Sequence, residues 1–135
     1  MALWDVGGQE MLRTFWRHHF RGTDCVIFVI DSTDTERFAQ ARKQLHAVAA
    51  EAELDRAVFL VLANKRDMPD AMDFDTLVRE LYLGDLICVK EKPTIPMDDC
   101  VRVMPVSALT GTGVTDAMEW MADAIERRDK RLTKP

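Results

Sequence analysis

Cysteine is scarce in this sequence: Cys25, Cys88 and Cys100 are the only three, and no two of them form a Cys-x-x-Cys pair. That spacing excludes a zinc ribbon and offers no disulfide framework. Reduced thiols of this kind suit a reducing compartment. Long apolar runs are missing as well. A stretch such as Cys25–Ile30 falls far short of the roughly 20 residues that a membrane-spanning helix needs. Nothing at Met1-Ala2-Leu3 reads as a signal peptide, and no glycine follows the methionine to accept myristate. Membrane association is therefore not encoded here, and a cytoplasmic protein is expected. An excess of positive charge is also lacking. The formal net charge is -5, which argues against nucleic acid as a partner. Arg127, Arg128, Lys130, Arg131 and Lys134 stand apart as a basic C-terminal tail over 127–135. The plain reading of that tail is a solvated helix end whose charge suits the helix dipole. No repeat or low-complexity segment appears, and 135 residues make one domain at most.

What is present is an alternation of short apolar runs and longer amphipathic stretches. Cys25–Ile30 and Val58–Ala63 are continuous and rich in β-branched residues, the pattern of strands buried on both faces. Val101–Val106 is a weaker third, which Pro105 confines to a strand end or a sheet edge. Between the first two runs, Thr33-Asp34-Thr35-Glu36 fits a capping box. Phe38, Ala41, Leu45, Val48, Ala49 and Ala52 then recur at helical spacing. Asp75 is placed to cap a short helix burying Leu77, Val78 and Leu81. A last helix follows Thr115, with Ala117, Met118, Met121 and Ile125 on one face. Residues 84–100, with Pro93 and Pro96, read as a surface loop. The order strand, helix, strand, helix, strand, helix predicts an α/β fold: a parallel sheet with helices on both faces. Ligands of such sheets sit at the carboxyl ends of the strands.

Three short motifs lie at those positions. Asn64-Lys65-Arg66-Asp67 follows the second run. Its amide and carboxylate can face one planar base, and the carboxylate can accept two parallel N–H bonds from a guanine N1/N2 edge, which adenine cannot offer. A solvated loop is the ordinary reading of such a tetrapeptide taken alone. Ser107-Ala108-Leu109 follows the third run and leads into Thr110-Gly111-Thr112-Gly113, where a backbone N–H can meet guanine O6 and glycines permit close approach. Trp4-Asp5-Val6-Gly7-Gly8-Gln9 is the third motif. An aspartate there can hold a magnesium-bound water, a glycine N–H can touch a terminal phosphate, and a glutamine can orient a water for in-line attack. The ordinary reading is a Gly-Gly bend after a strand.

Taken together, in this order, the three motifs resemble those of Ras-like GTPases. The tryptophan before Asp5 and the doubled glycine resemble the ADP-ribosylation factor and Arf-like family, as do Leu12–Arg17, Phe28-Val29-Ile30-Asp31-Ser32 and Glu36-Arg37-Phe38. The similarity runs from about Trp4 to Ile125. It implies GTP or GDP with Mg2+ as cofactors. It also implies that Asn64, Lys65, Asp67, Ser107 and Ala108 read the base, and that Gly8 touches the γ-phosphate. Gln9 would be the catalytic residue and Asp5 would reach the metal through water. Arg13, Trp16 and His19 would form the effector surface of the second switch. Effectors, exchange factors and activators would be its protein partners, with the full-length parent peripheral to membranes. His19 replaces the family's usual tyrosine, which implies a different or weakened effector set. The adjacent His18 and His19 point apart on any regular element, so they do not suggest a metal site.

One departure is large. The phosphate loop G-x-x-x-x-G-K-[ST] occurs nowhere: the glycines are 7, 8, 22, 84, 111 and 113, and none precedes a lysine. In the family that loop, its strand and helix, and the first switch all precede the Trp-Asp segment. The resemblance therefore implies an incomplete Ras-like fold, N-terminally truncated from a longer gene product. The missing strand would lie beside Val26–Ile30, leaving sheet edges open to self-association. An Arf-like molecular switch acting in membrane traffic, with weak or no nucleotide binding by this chain itself, is the expected function. The alternatives are a non-catalytic protein-interaction module or a non-functional truncated product.

Overall fold

A computed structural model of the chain describes residues 20–83 and 100–132. Strand β1 (Cys25–Asp31) is followed by helix α1 (Phe38–Ala49), a short 3-10 turn over Ala52–Leu54, and strand β2 (Val58–Asn64). Helix α2 (Phe74–Glu80), strand β3 (Val101–Pro105) and helix α3 (Val114–Leu132) complete the described elements. The strands form a parallel sheet in the order β1-β2-β3.

The strand period of two sorts the side chains cleanly. Val26, Phe28 and Ile30 align with Phe59, Val61 and Ala63, and Val101 and Val103 join the same face. That face packs against Phe38, Leu45, Val48 and Ala49 of α1 and Leu77 of α2. Leu60, Leu62 and Met104 occupy the opposite face under Ala117, Met118 and Met121 of α3. Strand β2 is buried from Val58 to Ala63, as a strand with neighbours on both edges and helices on both faces must be. Pro105 lies at the end of β3, an edge strand among the described residues, where its missing N–H costs no bond to β2.

Four sequence expectations need correction. Strand β1 is not buried on both faces: Ile30 alone is fully buried and Val29 is 57% exposed. Among the described residues β1 pairs only with β2, and the helix core on the Val29 side extends to Cys25 and Ile27 but not beyond. The Thr33–Glu36 capping box does not form, since α1 starts at Phe38 with no side-chain cap. Thr33 is drawn back instead, its N–H and hydroxyl both donating to Asp31 Oδ1 (2.9 and 2.7 Å). Asp73, not Asp75, caps α2: with extended backbone at Asp73, its Oδ2 accepts from the Thr76 N–H at 3.1 Å. Ala52 falls in the 3-10 turn, and Leu54 takes the core position in its place.

The basic residues 127–131 belong to α3 rather than to a separate tail, and one of them is not solvated. The Arg128 side chain is 7% exposed. Its Nη1 donates to the carbonyls of Asp24 (3.0 Å) and Arg56 (3.1 Å), and its Nη2 to Asp24 Oδ1 and Asp129 Oδ1 (both 2.7 Å). Burial opposes its charge, but the two carboxylates outweigh that and hold its pKa above the ordinary value. The guanidinium thereby bolts the end of α3 to the residues that lead into β1 and β2. Burial likewise pushes the neighbouring Cys25 thiol up to about 11, which keeps it protonated and unreactive. Replacing Arg128 by Met should cost about 2 kcal/mol, because two carbonyls and two carboxylates lose a charged donor. Urea denaturation monitored by circular dichroism measures that loss.

Candidate guanine-binding site

The carboxyl ends of β2 and β3 lie side by side, so the loops that leave them meet. Four bonds lock the two loops together. Val106 N–H donates to Ala63 O (3.0 Å), and Arg66 N–H to Val106 O (3.2 Å). Asn64 Oδ1 accepts from the Ala108 N–H at 3.0 Å. Asp67 Oδ1 accepts from the Ser107 hydroxyl at 2.8 Å. Ser107 is buried; its single hydroxyl proton goes to Asp67 and its oxygen accepts from the Thr110 N–H at 3.2 Å. Asp67 itself stays exposed. A carboxylate is thus aimed by a buried serine from one side, while the amide of Asn64 ties down the backbone of Ala108.

The second loop closes on itself. Ser107 N–H donates to Thr112 O (2.9 Å) and Gly111 N–H to Ser107 O (2.8 Å). Gly111 and Gly113 adopt φ of +84° and +80°, which L side chains rarely reach. A Cβ on Gly113 would also strike the carbonyl oxygen of Pro105. Gly113 therefore serves the loop's own closure against β3, while the space beside Gly111 is open.

Lys65 leaves β2 with φ of +65°, a left-handed conformation costly for a non-glycine residue. Its Nζ reaches back to Asp31 Oδ2 at 2.8 Å. Asp31 is the last residue of β1 and stands opposite Asn64 in the parallel register. The hydrogen bond from Lys65 pulls the Asp31 carboxyl down to about 2, with the Thr33 donors adding to it. Asp31 in turn raises the pKa of Lys65. Because the folded-state value of Asp31 lies below its ordinary one near 3.8, the pair is complete above that pH and is lost as pH falls toward 2. The adjacent Ser32 ties the exits of β1 and β2 together: its N–H donates to Asn64 O (3.2 Å) and its carbonyl accepts from the Met72 N–H (2.8 Å).

Of the residues proposed from sequence, the structure gathers Asn64, Lys65, Asp67, Ser107 and Ala108 at one edge of the sheet. The Ala108 N–H, expected to be offered to guanine O6, is directed at Asn64. Any O6 acceptor would share that donor or displace the amide. Asp5, Gly8, Gln9, Arg13, Trp16 and His19 lie outside the described residues, as do residues 84–99 of the predicted 84–100 surface loop; its last residue, Cys100, is buried rather than on the surface. Among the described residues no group of three His, Cys, Asp or Glu side chains could hold a metal, so the Mg2+ expectation rests on Asp5. Two members of the site escaped sequence reasoning. Leu109 is 85% exposed at the tip of the second loop, an apolar side chain with no core to explain it. Asp31 was quoted only as part of a family stretch, although a carboxylate ending one parallel strand beside the Asn-Lys that ends the next was legible as a pair.

Comparison with known proteins agrees with this geometry. The model of the ADP-ribosylation factor family matches residues 1–125. ADP-ribosylation factor-like protein 1 of Saccharomyces cerevisiae is 38% identical over 126 residues, covering 93% of this chain and 63% of that protein. ADP-ribosylation factor K of Dictyostelium discoideum is 34% identical over 128 residues, covering 95% of this chain and 63% of its own length. The chain therefore spans less than two thirds of these curated relatives. Among solved structures, the Arl6 BBS3 small GTPase from Trypanosoma brucei, with the bound nucleotide analogue GppNp, superimposes with a TM-score of 0.78 at 27% identity. That match covers 92% of this chain and 71% of that one. The described parallel sheet with its helices has the Ras-like GTPase fold, and the chain belongs to the ADP-ribosylation factor family of small GTPases.

Proposed function

We propose that this chain carries the base-reading site of an Arf-like molecular switch, in which Asp67 and Ala108 contact guanine, Asn64 and Ser107 hold them in place, and Lys65 lies along the base. The observation that carries this reading is the pair of cross-links Ser107–Asp67 and Asn64–Ala108, which pre-aim a carboxylate and a backbone amide from two different loops. A carboxylate accepting two N–H bonds from guanine gains roughly 1.5–3 kcal/mol per bond. It gains nothing comparable from adenine, whose corresponding edge offers no such donor pair. The exposed Leu109 adds an apolar surface on which a base can lie.

In the whole protein, Gly8, Gln9 and Asp5 would act on the phosphates and Mg2+ of GTP. The segment with Arg13, Trp16 and His19 would present the nucleotide state to effectors, exchange factors and activators, as family likeness suggests for membrane traffic. A cytoplasmic location at membrane surfaces belongs to the same inference; no helix among the described residues is long and apolar enough to cross a membrane. The 135-residue sequence contains no G-x-x-x-x-G-K-[ST], so the nest of N–H groups that binds most of a nucleotide's charge is not among its residues. Two or three bonds to a base then stand against an association cost of roughly 4–15 kcal/mol. Self-association is the second expectation, supported by the exposed Val29 and by the single paired edge of β1 among the described residues.

Two measurements test the reading. Titration calorimetry of the 135-residue chain with GDP should give a dissociation constant in the millimolar range, and no guanine nucleotide should appear by mass spectrometry of the denatured protein. A sub-micromolar affinity would overturn this account of where the binding energy lies. Asp67→Asn should move base preference from guanosine toward xanthosine monophosphate, read from amide shifts of residues 64–67 and 107–109. An unchanged preference would remove Asp67 from the base-reading role.

A further inference from the structure

The Asp31–Lys65 pair is poorly explained by stability. Its two side chains are 37% and 50% exposed, and ion pairs so open to water add little to the stability of a fold. Yet three features converge to hold it. Lys65 adopts a left-handed backbone that turns its chain back from the end of β2 toward β1. Asp31 stands opposite Asn64, so the acceptor is one register step from the base-reading loop. Thr33 anchors Asp31 with two donors on Oδ1, which leaves Oδ2 facing the lysine (2.8 Å). A lysine free in water samples many rotamers, and ordering it costs that side-chain entropy. Here its far end is fixed, so its four-carbon stem bridges the ends of β1 and β2 beside Asn64.

We propose that Asp31 is a positioning residue of the guanine site: by fixing Lys65 Nζ it holds the Lys65 stem as one apolar wall of the slot that receives the base, and Thr33 in turn fixes Asp31. The inference rests on the guanine reading above. A base sliding into such a slot meets a wall whose ordering entropy is already lost, and preorganised walls raise affinity in that way. The left-handed backbone at Lys65 coincides with this arrangement: Nζ returns to β1 while Asn64 faces Ala108.

The test uses the 135-residue chain and guanosine monophosphate at millimolar concentration, followed by amide and lysine-methylene resonances. Asp31→Asn keeps an oxygen for Thr33 but removes the charge that holds Lys65. It should weaken binding about tenfold, a change typical of a lost positioning contact, and should sharpen the Lys65 Cε signal as the stem becomes mobile. Asp31→Glu should restore most of the binding. Lys65→Ala should weaken binding by a similar factor, and adding Asp31→Asn to it should have no further effect. The thermal midpoint should move by no more than about 3 °C in Asp31→Asn, as for other exposed pairs. If the wild-type chain binds the nucleotide and Asp31→Asn binds it equally well, the positioning role is overturned and the guanine site stands. If the wild-type chain shows no shifts at residues 64–67 and 107–109, the guanine reading itself falls, and the positioning role with it.

Discussion

Parallel pairing of β2 with a strand on each side is the constraint from which the rest of this structure follows. Parallel neighbours cannot be joined by a tight turn, so each connection must cross the sheet and return to the same end. The crossover from β1 to β2 supplies α1, whose Phe38, Leu45, Val48 and Ala49 cover one face. α3 covers the opposite face of β2 and β3. Because all three strands run the same way, Asp31, Asn64 and Val106 leave the sheet at one edge. The chemistry of the molecule collects there for a topological reason before any side chain is considered.

At that edge the polar groups hold one another. Asn64 gives its carbonyl oxygen to the backbone of Ala108, Ser107 gives its proton to Asp67, and Lys65 gives its charge to Asp31. Each bond joins loops or strands far apart in sequence, so the site is as rigid as the sheet that carries it. Such self-satisfaction has a consequence for recognition. A base entering the site exchanges bonds for bonds, and its net gain lies in those the protein cannot make with itself. The exposed carboxylate of Asp67 is the clearest such group, with one oxygen held by Ser107 and its face open to water.

Much of this was legible from sequence, and the rest failed for identifiable physical reasons. The strands, the parallel sheet and the meeting of the two loops at its carboxyl end follow from apolar runs and motif position, because those signals are local and strong. Helix starts were less legible. Thr33 and Asp75 each had the right chemistry for a cap, but Asp31 captured Thr33 through a shorter local turn, and extended backbone at Asp73 put the true cap two residues earlier. The exposure of Val29 was hidden for another reason: a β-branched run reports a preference for strand, not how many helices cover each face. The role of Gly113 was visible only as permission for a sharp turn, since its contact with Pro105 joins two segments through the fold.

Two cations show how the same chemistry serves different ends at the two edges of the sheet. Arg128 is buried at the amino end, and its planar fork donates to two carbonyls and two carboxylates at once. Every donor it presents is matched, so withdrawing it from water costs the fold little and joins α3 to the residues before β1 and β2. Lys65, at the carboxyl end, stays half in water and makes one ion pair. A buried guanidinium cannot move without leaving carbonyls unsatisfied, whereas the Lys65 ammonium is held from one side by Asp31, which Thr33 anchors in turn. The amino end of the sheet is thus joined by a buried cation with every donor matched, and the carboxyl end by a half-exposed cation paired with one carboxylate.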